Sequence, residues 1–204
     1  MSFFDARAMD WDNIPGRAER ANAVADAIRA QVPLSRTMSA LEYGCGTGLL
    51  SFALQAELGP IMLADSSIGM LEVLRGKIAR AGIPNMIPLR LDLAVDPLPV
   101  ERFDLIYTLM TLHHIPDTAK ILGCFHSLLQ PGGVLCIADL DKEDGSFHSA
   151  DSGFDGHYGF ERAELGLDLE RAGFTQIRFI TCYSVIKGDQ SYPLFLAVAE
   201  KKSN

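Results

Sequence analysis

The sequence predicts an α/β fold built on a doubly wound, mostly parallel sheet with helices on both faces. Three observations indicate this fold. Short apolar runs alternate with segments of helical periodicity, which is typical of strands buried on both faces. A turn with three alternating glycines follows the first apolar run. Two β-rich runs near the C-terminus, 176–187 and 192–200, adjoin each other and predict an antiparallel hairpin.

Residues that break helices delimit the predicted elements. The first helix, residues 17–32, places Ala21, Val24 and Ile28 at helical spacing and ends at Pro33. Glycine, alone or beside a proline, follows each later helix. These later helices are expected at residues 49–58, 68–81, 117–129 and 160–172. Between them, buried strands are expected at residues 61–65, 86–91 and 103–107.

The glycine turn has the spacing G-x-G-x-G, formed by Gly44, Gly46 and Gly48. Residues without a Cβ allow backbone amides to close around a ligand. The dinucleotide fingerprint has a different spacing, G-x-G-x-x-G, and seats a pyrophosphate that the nearby carboxylate of Glu42 would repel. Glu42 instead suits a ligand that carries an amino group. The turn therefore argues against a nicotinamide oxidoreductase of the same architecture.

Polar side chains follow the next three predicted strands. Asp65 ends the first of them, Asp92 follows the second, and Thr108 follows the third. Side chains at the carboxyl ends of parallel strands face the ligand crevice of such a sheet. A carboxylate such as Asp65 can accept two hydrogen bonds from a ribose diol. The alternative is that Asp65 caps the helix that follows it.

These motifs together resemble the class I S-adenosylmethionine-dependent methyltransferases over about residues 40–140. Residues 129–135, with their Pro-Gly-Gly turn, are similar to the helix–turn–strand element after that family's fourth strand. The stretch His113-His114-Ile115-Pro116-Asp117 is similar to the HHxxD motif of its small-molecule branch. The resemblance implies a Rossmann-like sheet of seven strands with an antiparallel C-terminal hairpin strand.

The resemblance also implies a cofactor, S-adenosylmethionine, with S-adenosylhomocysteine as the product. By position, the backbone of Gly44, Cys45 and Gly46 would line its methionine portion, and Glu42 would approach its amine. Asp65 would bind the ribose hydroxyls. The other implied contacts are Ser66 and Met70 beside the adenine, the Asp92 carboxylate at the adenine amino group, the Leu93 amide at a ring nitrogen, and Thr108 near the methionyl amine or the sulfonium.

Two segments, residues 3–16 and 139–160, lie outside the strand–helix alternation. The second leaves the sheet at the carboxyl end of a strand and contains aromatic and histidine side chains, which is typical of an active-site lid. The sequence therefore predicts one methyltransferase domain over residues 1–204. Residues 1–36 would form an N-terminal lid and helix, and residues 139–160 a lid insertion.

Methyl transfer to a neutral hydroxyl, thiol or ammonium group requires removal of a proton, and histidine titrates in a suitable range. The candidate bases are His113, His114, His148 and His157. Of these, the histidines of the predicted lid insertion, His148 and His157, are preferred. Trp11, His113 and Phe147 are the candidate substrate contacts. Each candidate has a simpler alternative. His148 and His157 would be surface histidines without a role, and His113 would pack or cap locally. Trp11 and Phe147 would be ordinary core residues.

Composition restricts the partners. The net charge of −8 and the thinly spread Lys and Arg argue against nucleic acid or an anionic membrane and favour a small-molecule acceptor. No apolar stretch could span a bilayer and no signal-peptide pattern is found, so a cytoplasmic protein is expected. Cys124, Cys136 and Cys182 are expected to be buried free thiols. No metal site is predicted, because no Cys/His cluster has ligand spacing along the chain.

The favoured function is methyl transfer to an O, N or S atom of a small molecule. Residues 108–111, Thr-Leu-Met-Thr, stand where the family's amino-directed nucleic-acid branch carries an N/D-P-P-Y/F/W motif, so that chemistry lacks its expected residues. A protein methyltransferase is an alternative. A non-catalytic sensor or partner subunit is another, although the cofactor-binding set is intact. The sequence does not indicate an oligomeric state.

Overall fold

A computed structural model describes residues 4–148, 154 and 156–203. A 3-10 helix, Asp5–Asn13, precedes the first α-helix, and a short one, Leu112–His114, lies between the fourth strand and the fourth helix. In chain order the other elements are α1 (Arg17–Gln31), β1 (Ala40–Tyr43), α2 (Leu49–Leu54), β2 (Ile61–Asp65), α3 (Ile68–Ala81), β3 (Met86–Arg90), β4 (Phe103–Leu109), α4 (Thr118–Leu128), β5 (Leu129–Leu140), α5 (Arg162–Arg171), β6 (Phe174–Lys187) and β7 (Gln190–Lys201).

The strands form one seven-stranded sheet in the order β3-β2-β1-β4-β5-β7-β6. Strands β1 to β5 pair in parallel, whereas β7 runs antiparallel between β5 and β6. The predicted fold class is therefore confirmed. The strand order reverses at β1, where connections leave in opposite directions, and a crevice opens at this point of a doubly wound sheet.

Two hydrophobic cores lie on opposite faces of the sheet. One packs the sheet against α1, α2 and α3, and the other packs it against α4 and α5. The neighbouring β1 residues Ala40 and Leu41 belong to different cores, because successive side chains of a strand point to opposite faces. Burial on both faces explains why the parallel strands read as nearly continuous apolar runs.

Local signals account for the bounds of α3 but not for those of α2. Helix α3 covers the predicted residues, because the Ser67 side chain caps its first turn and Gly82 closes it in the left-handed conformation, with φ 63°. Helix α2 ends at Leu54, short of the predicted residue 58, and turns follow it. Helix α5 begins at Arg162, because the preceding Phe160 pairs with Asp141 in an isolated parallel bridge.

The C-terminal hairpin is longer and tighter than predicted. Only Gly188 and Asp189 separate β6 from β7, so the pairing starts at Lys187 and Gln190. Of the cysteines expected to be buried, Cys136 is buried, whereas Cys124 and Cys182 are half-buried at the margins of their cores. In the described part of the chain, no helix has the length and apolar character needed to cross a bilayer.

Candidate active site

A cavity of about 340 Å³ opens at the carboxyl ends of β1, β2 and β4. Its floor is the glycine turn after β1, and its walls include the residues that follow β2, β3 and β4. The N-terminal 3-10 helix and α1 complete it, with Phe4 and Trp11 among the lining side chains. A cavity of this size lies in the usual range for small-ligand sites.

At Gly44, the glycine turn packs so closely against its neighbours that a side chain has no room. Gly44 has φ 69°, and a Cβ there would lie 2.2 Å from Cγ2 of Thr111. Thr111 itself donates a hydrogen bond from Oγ1 to the Gly44 carbonyl, at 3.3 Å. Close packing against the residues after β4 therefore requires glycine at this position.

Asp65 joins the glycine turn to the start of α3. Its Oδ2 accepts a hydrogen bond from the Gly46 amide at 2.7 Å, and its Oδ1 accepts one from the Ser67 amide at 2.8 Å. Burial raises the pKa of this carboxyl, and the amide donors of Ser67 and Gly46 oppose the shift. The N-cap of α3 is Ser67, whose hydroxyl accepts from the Met70 amide. The Asp65 carboxylate thus lines the cavity with oxygens oriented by backbone amides.

Glu42 lines the same cavity and is 2% exposed. Its Oε2 accepts hydrogen bonds from the hydroxyl and the amide of Ser51, and that hydroxyl also bonds to Tyr107 at 2.6 Å. Burial raises the pKa of Glu42 to about 8, against the opposing effect of the Ser51 hydrogen bonds. The site therefore stabilises the ionised carboxylate best when a cation binds beside it.

Most of the predicted cofactor residues line the cavity, and two do not. The lining includes Glu42, Gly44, Cys45, Gly46, Asp65, Ser66, Met70 and Asp92. The Leu93 amide instead donates to the Tyr43 hydroxyl at 3.1 Å. Thr108 is 1% exposed and lies inside β4, because that strand runs to Leu109. Thr111, three residues further on, lines the cavity instead, and it was not predicted as a contact.

Two arginines on α1 line the cavity and were not predicted. The Arg17 guanidinium lies 3.2 Å from the centre of the Trp11 ring. Burial and then the neighbouring Arg20 lower the pKa of Arg17 to about 10. Burial also lowers the pKa of Arg20, whose Nε has no hydrogen-bond partner among the described residues. In the sequence, both arginines fall in the first turns of α1 and read as part of the solvent-exposed face of that helix. Nothing in their spacing indicates a cavity.

The predicted substrate contacts and bases separate into cavity-lining and more distant residues. Trp11 lines the cavity, whereas His113 is buried behind it, 1% exposed, with Nδ1 at 2.6 Å from Oδ1 of Asp139. His114, which was not singled out as a contact, lines the cavity instead. Phe147 packs against Tyr192, away from the lining.

The two candidate bases have different surroundings. His148 lies near His114, with 5.5 Å between the ring centres, and stacks on Phe154 at 3.7 Å. Burial lowers the pKa of His148 to about 4, and the neighbouring His113 adds to this. His157 places Nε2 at 3.1 Å from the Ile115 carbonyl, outside the cavity lining. His148 is therefore the candidate that the fold brings close to the cavity wall.

The family follows from a comparison with known sequence families. A family model described as "Methyltransferase domain" matches residues 17–178. The chain belongs to the methyltransferase domain family. The family expected from the sequence motifs is thereby confirmed.

Curated relatives of this methyltransferase domain match part of the chain. An uncharacterized methyltransferase of Schizosaccharomyces pombe is 33% identical in an alignment of 118 residues, and the match covers 54% of this chain and 42% of that protein. A ubiquinone biosynthesis O-methyltransferase of Xylella fastidiosa is 33% identical in an alignment of 125 residues, and the match covers 60% of this chain and 49% of that protein. The chain thus spans about half the length of these relatives.

Solved structures share the whole fold. A SAM-dependent methyltransferase from Aquifex aeolicus is 23% identical, with a TM-score of 0.73 and coverage of 98% of this chain and 99% of that one. A chain from a Haloferax volcanii complex with the Trm112 methyltransferase activator is 19% identical, with a TM-score of 0.80 and 99% coverage of both chains. At these identities, the likeness concerns the fold alone.

Proposed function

We propose that this methyltransferase domain transfers a methyl group from S-adenosylmethionine to an O, N or S atom of a small molecule. The observation that carries the proposal is the hydrogen bond between the Gly46 amide and the Asp65 carboxylate inside the cavity. It fixes a carboxylate suited to a ribose diol against a glycine turn suited to the methionine portion. A nucleoside joined to an amino acid would bridge these two features.

The charges in the cavity suit the methionine end of the cofactor. That end carries an ammonium and a carboxylate. Glu42 supplies a buried carboxyl whose ionised form an ammonium would stabilise. Arg17 and Arg20 supply positive charge in a chain whose net charge is −8. A carboxylate of the cofactor or an anionic group of the acceptor would relieve the mutual repulsion of these guanidiniums.

The N-terminal segment is proposed as the lid of the cavity. Asp5 holds it to the start of α3, where Oδ1 accepts from the Ser67 hydroxyl at 2.6 Å and from the Gly69 amide at 3.0 Å. At its other end, Asp12 pairs with Lys77. Trp11 lies between these two anchors and covers the glycine turn. A cavity closed in this way excludes water from the sulfonium and admits a small acceptor more readily than a polymer.

The lid insertion predicted at residues 139–160 contributes no residue to the cavity lining among its described residues, but it approaches that lining at His114. Its first residues extend β5 to Leu140, and the segment then carries Phe147 and His148 toward His114. Residues 149–153 and 155 of this prediction lie outside the described residues. The lid role of the insertion is proposed from the position of its described part.

Methyl transfer is an in-line displacement at carbon. The acceptor atom attacks the methyl group, the S–CH₃ bond breaks, and S-adenosylhomocysteine leaves as the neutral thioether. Alignment of the acceptor with the S–CH₃ bond at about 3–3.5 Å can provide much of the rate enhancement. The acceptor also loses a proton. The proposed base is His148, which contacts the cavity-lining His114, rather than His157, whose ring nitrogen faces a backbone carbonyl.

The test is a turnover screen with S-adenosylmethionine labelled in the methyl group. Phenols, thiols, amines and carboxylic acids are offered separately, and release of S-adenosylhomocysteine is measured. The control is Gly46→Val, which inserts a side chain into the glycine turn at a position with φ 53°. Acceptor-dependent release by the wild type but not by the control would confirm the proposal. Label transferred only to protein in a cell extract would refute a small-molecule acceptor.

A further inference from the structure

The fold gathers three histidines beside the cavity, and one of them, His114, lines it. One nitrogen each of His113, His114 and His148 lies within 4.8 Å of the other two. We name these three residues the histidine cluster. The first two stand on the short 3-10 helix after β4, and the third belongs to the segment after β5. Two neighbouring strands of the sheet thus bring together residues that are 34 or more positions apart along the chain.

Within the described residues, the cluster contains buried nitrogens that lack a partner. Nε2 of His113 and Nε2 of His148 are buried and make no hydrogen bond. His113 is 1% exposed, so water does not reach its ring freely. A buried polar atom without a partner is costly, and such an atom indicates a ligand, an ordered water or an ion.

Asp139 favours the tautomer of His113 that carries its proton on Nδ1. Its Oδ1 lies 2.6 Å from Nδ1 of His113, and its carboxylate also accepts from the backbone amides of His113, at 3.2 Å, and Leu140, at 2.8 Å. A carboxylate bound at Nδ1 holds the proton there and leaves the lone pair of Nε2 free. The carboxylate–histidine–metal arrangement orients metal ligands in this way.

We propose that the histidine cluster binds a divalent metal ion of the zinc type. Three neutral imidazoles suit Zn²⁺ and related ions, whereas Mg²⁺ and Ca²⁺ require oxygen ligands. Zinc–imidazole bonds of about 2.0–2.1 Å place the nitrogens of a tetrahedral site roughly 3.3 Å apart. The nitrogens now lie within 4.8 Å of one another, so binding would bring any pair of them closer by at most about 1.5 Å.

Three protein ligands leave a fourth coordination position for water or a substrate atom. His114 also lines the cavity, so the ion sits at the cavity wall. The next step depends on the proposed function. An acceptor hydroxyl or thiol that binds the ion loses its proton to solvent more readily. Its oxygen or sulfur then forms the bond to the methyl carbon as the S–CH₃ bond breaks. His148 would act as a ligand in this scheme, not as the base.

The prediction of no metal site from the sequence considered only spacing along the chain. Adjacent histidines at 113 and 114 and a third at 148 match none of the usual linear spacings. Only the parallel pairing of β4 with β5 brings the segments that follow them together. This proposal therefore revises that prediction.

The test uses the full chain, stripped with a chelator and titrated with Zn²⁺ alone. Calorimetry gives the affinity, and elemental analysis after dialysis gives the stoichiometry. The wild type should bind one ion per chain. Asp139→Asn should lower the affinity about 10–100-fold, and His148→Ala should lower it further. The matched control is His126→Ala, on α4, which packs against Phe174 and should bind as the wild type does.

The outcomes distinguish this proposal from the proposed function. Circular dichroism checks the fold of each variant, and His148→Ala serves if the variant at the buried Asp139 does not fold. Equal zinc affinity in His148→Ala and the wild type, or fewer than one ion per chain, would overturn the site and indicate an adventitious ion only. S-adenosylhomocysteine is titrated separately into the stripped protein. Binding of that nucleoside without zinc binding overturns the metal site and leaves the proposed function intact.

Discussion

Replacement of Asp65 by alanine removes the carboxylate that joins the glycine turn to α3. In the free protein, the variant loses the hydrogen bonds at 2.7 Å from the Gly46 amide and at 2.8 Å from the Ser67 amide. In the complex, it also loses the proposed bonds to the ribose. A hydrogen bond to a charged group contributes about 1.5–3 kcal/mol. The dissociation constant for S-adenosylhomocysteine should therefore rise about 10- to 100-fold, since about 1.4 kcal/mol corresponds to a factor of ten.

Calorimetric titration of S-adenosylhomocysteine into wild type and variant measures this change, and urea unfolding shows how much of it reflects stability. Asp117→Ala is the matched control. Asp117 also accepts a backbone amide, that of Lys120 at 2.9 Å, but it caps α4 and does not line the cavity. The control should lose about 1 kcal/mol of stability and no cofactor affinity. Unchanged affinity in a folded Asp65→Ala protein would refute the ribose assignment.

Three further perturbations test other parts of the cavity. Gly44→Ala should lower the free energy of unfolding by about 1–3 kcal/mol in urea, because its Cβ would lie 2.2 Å from Thr111. The control is Gly123→Ala on α4, where a Cβ meets no atom within 4 Å and stability should not fall. Equal losses of stability in the two variants would refute the packing argument. Burial raises the pKa of Glu42 to about 8, so the free protein should lose stability as the pH rises from about 4.5 to 8, by up to about 1.4 kcal/mol per pH unit. Glu42→Gln should flatten that decline in unfolding curves measured across this range, and an unchanged decline would show that Glu42 is not its source. Arg17→Gln should weaken the calorimetric affinity for S-adenosylhomocysteine but not for methylthioadenosine, because methylthioadenosine lacks the carboxylate. Equal affinities of variant and wild type for S-adenosylhomocysteine would contradict a contact with that carboxylate and assign the Arg17 guanidinium to the acceptor.

The part of the cavity around the glycine turn could be predicted because its signals are local. A glycine turn and a carboxylate after the next strand are each visible within a few residues, and Gly46 and Asp65 do meet in the structure. Thr108 shows the limit of such reasoning. The apolar run was read as ending at Tyr107, but β4 continues to Leu109 because its pairing with β5 extends to Ala138. Thr111 therefore lines the cavity, and Thr108 does not.

The rest of the cavity and the histidines beside it could not be predicted, since their positions depend on contacts between distant segments. Arg17 and Arg20 become cavity residues only because α1 packs beside the glycine turn under the N-terminal segment. His113 and His148 become neighbours through the pairing of β4 with β5. Sequence spacing carries no signal for such contacts.

The most direct test of the central claim is calorimetric titration of the purified chain with S-adenosylmethionine and S-adenosylhomocysteine, with NAD as the control ligand. The account predicts one site per chain that binds both sulfur nucleosides with micromolar affinity and does not bind NAD, because Glu42 lies where a pyrophosphate would have to approach the glycine turn. Binding of NAD, or no binding of either sulfur nucleoside by protein that circular dichroism shows to be folded, would contradict it.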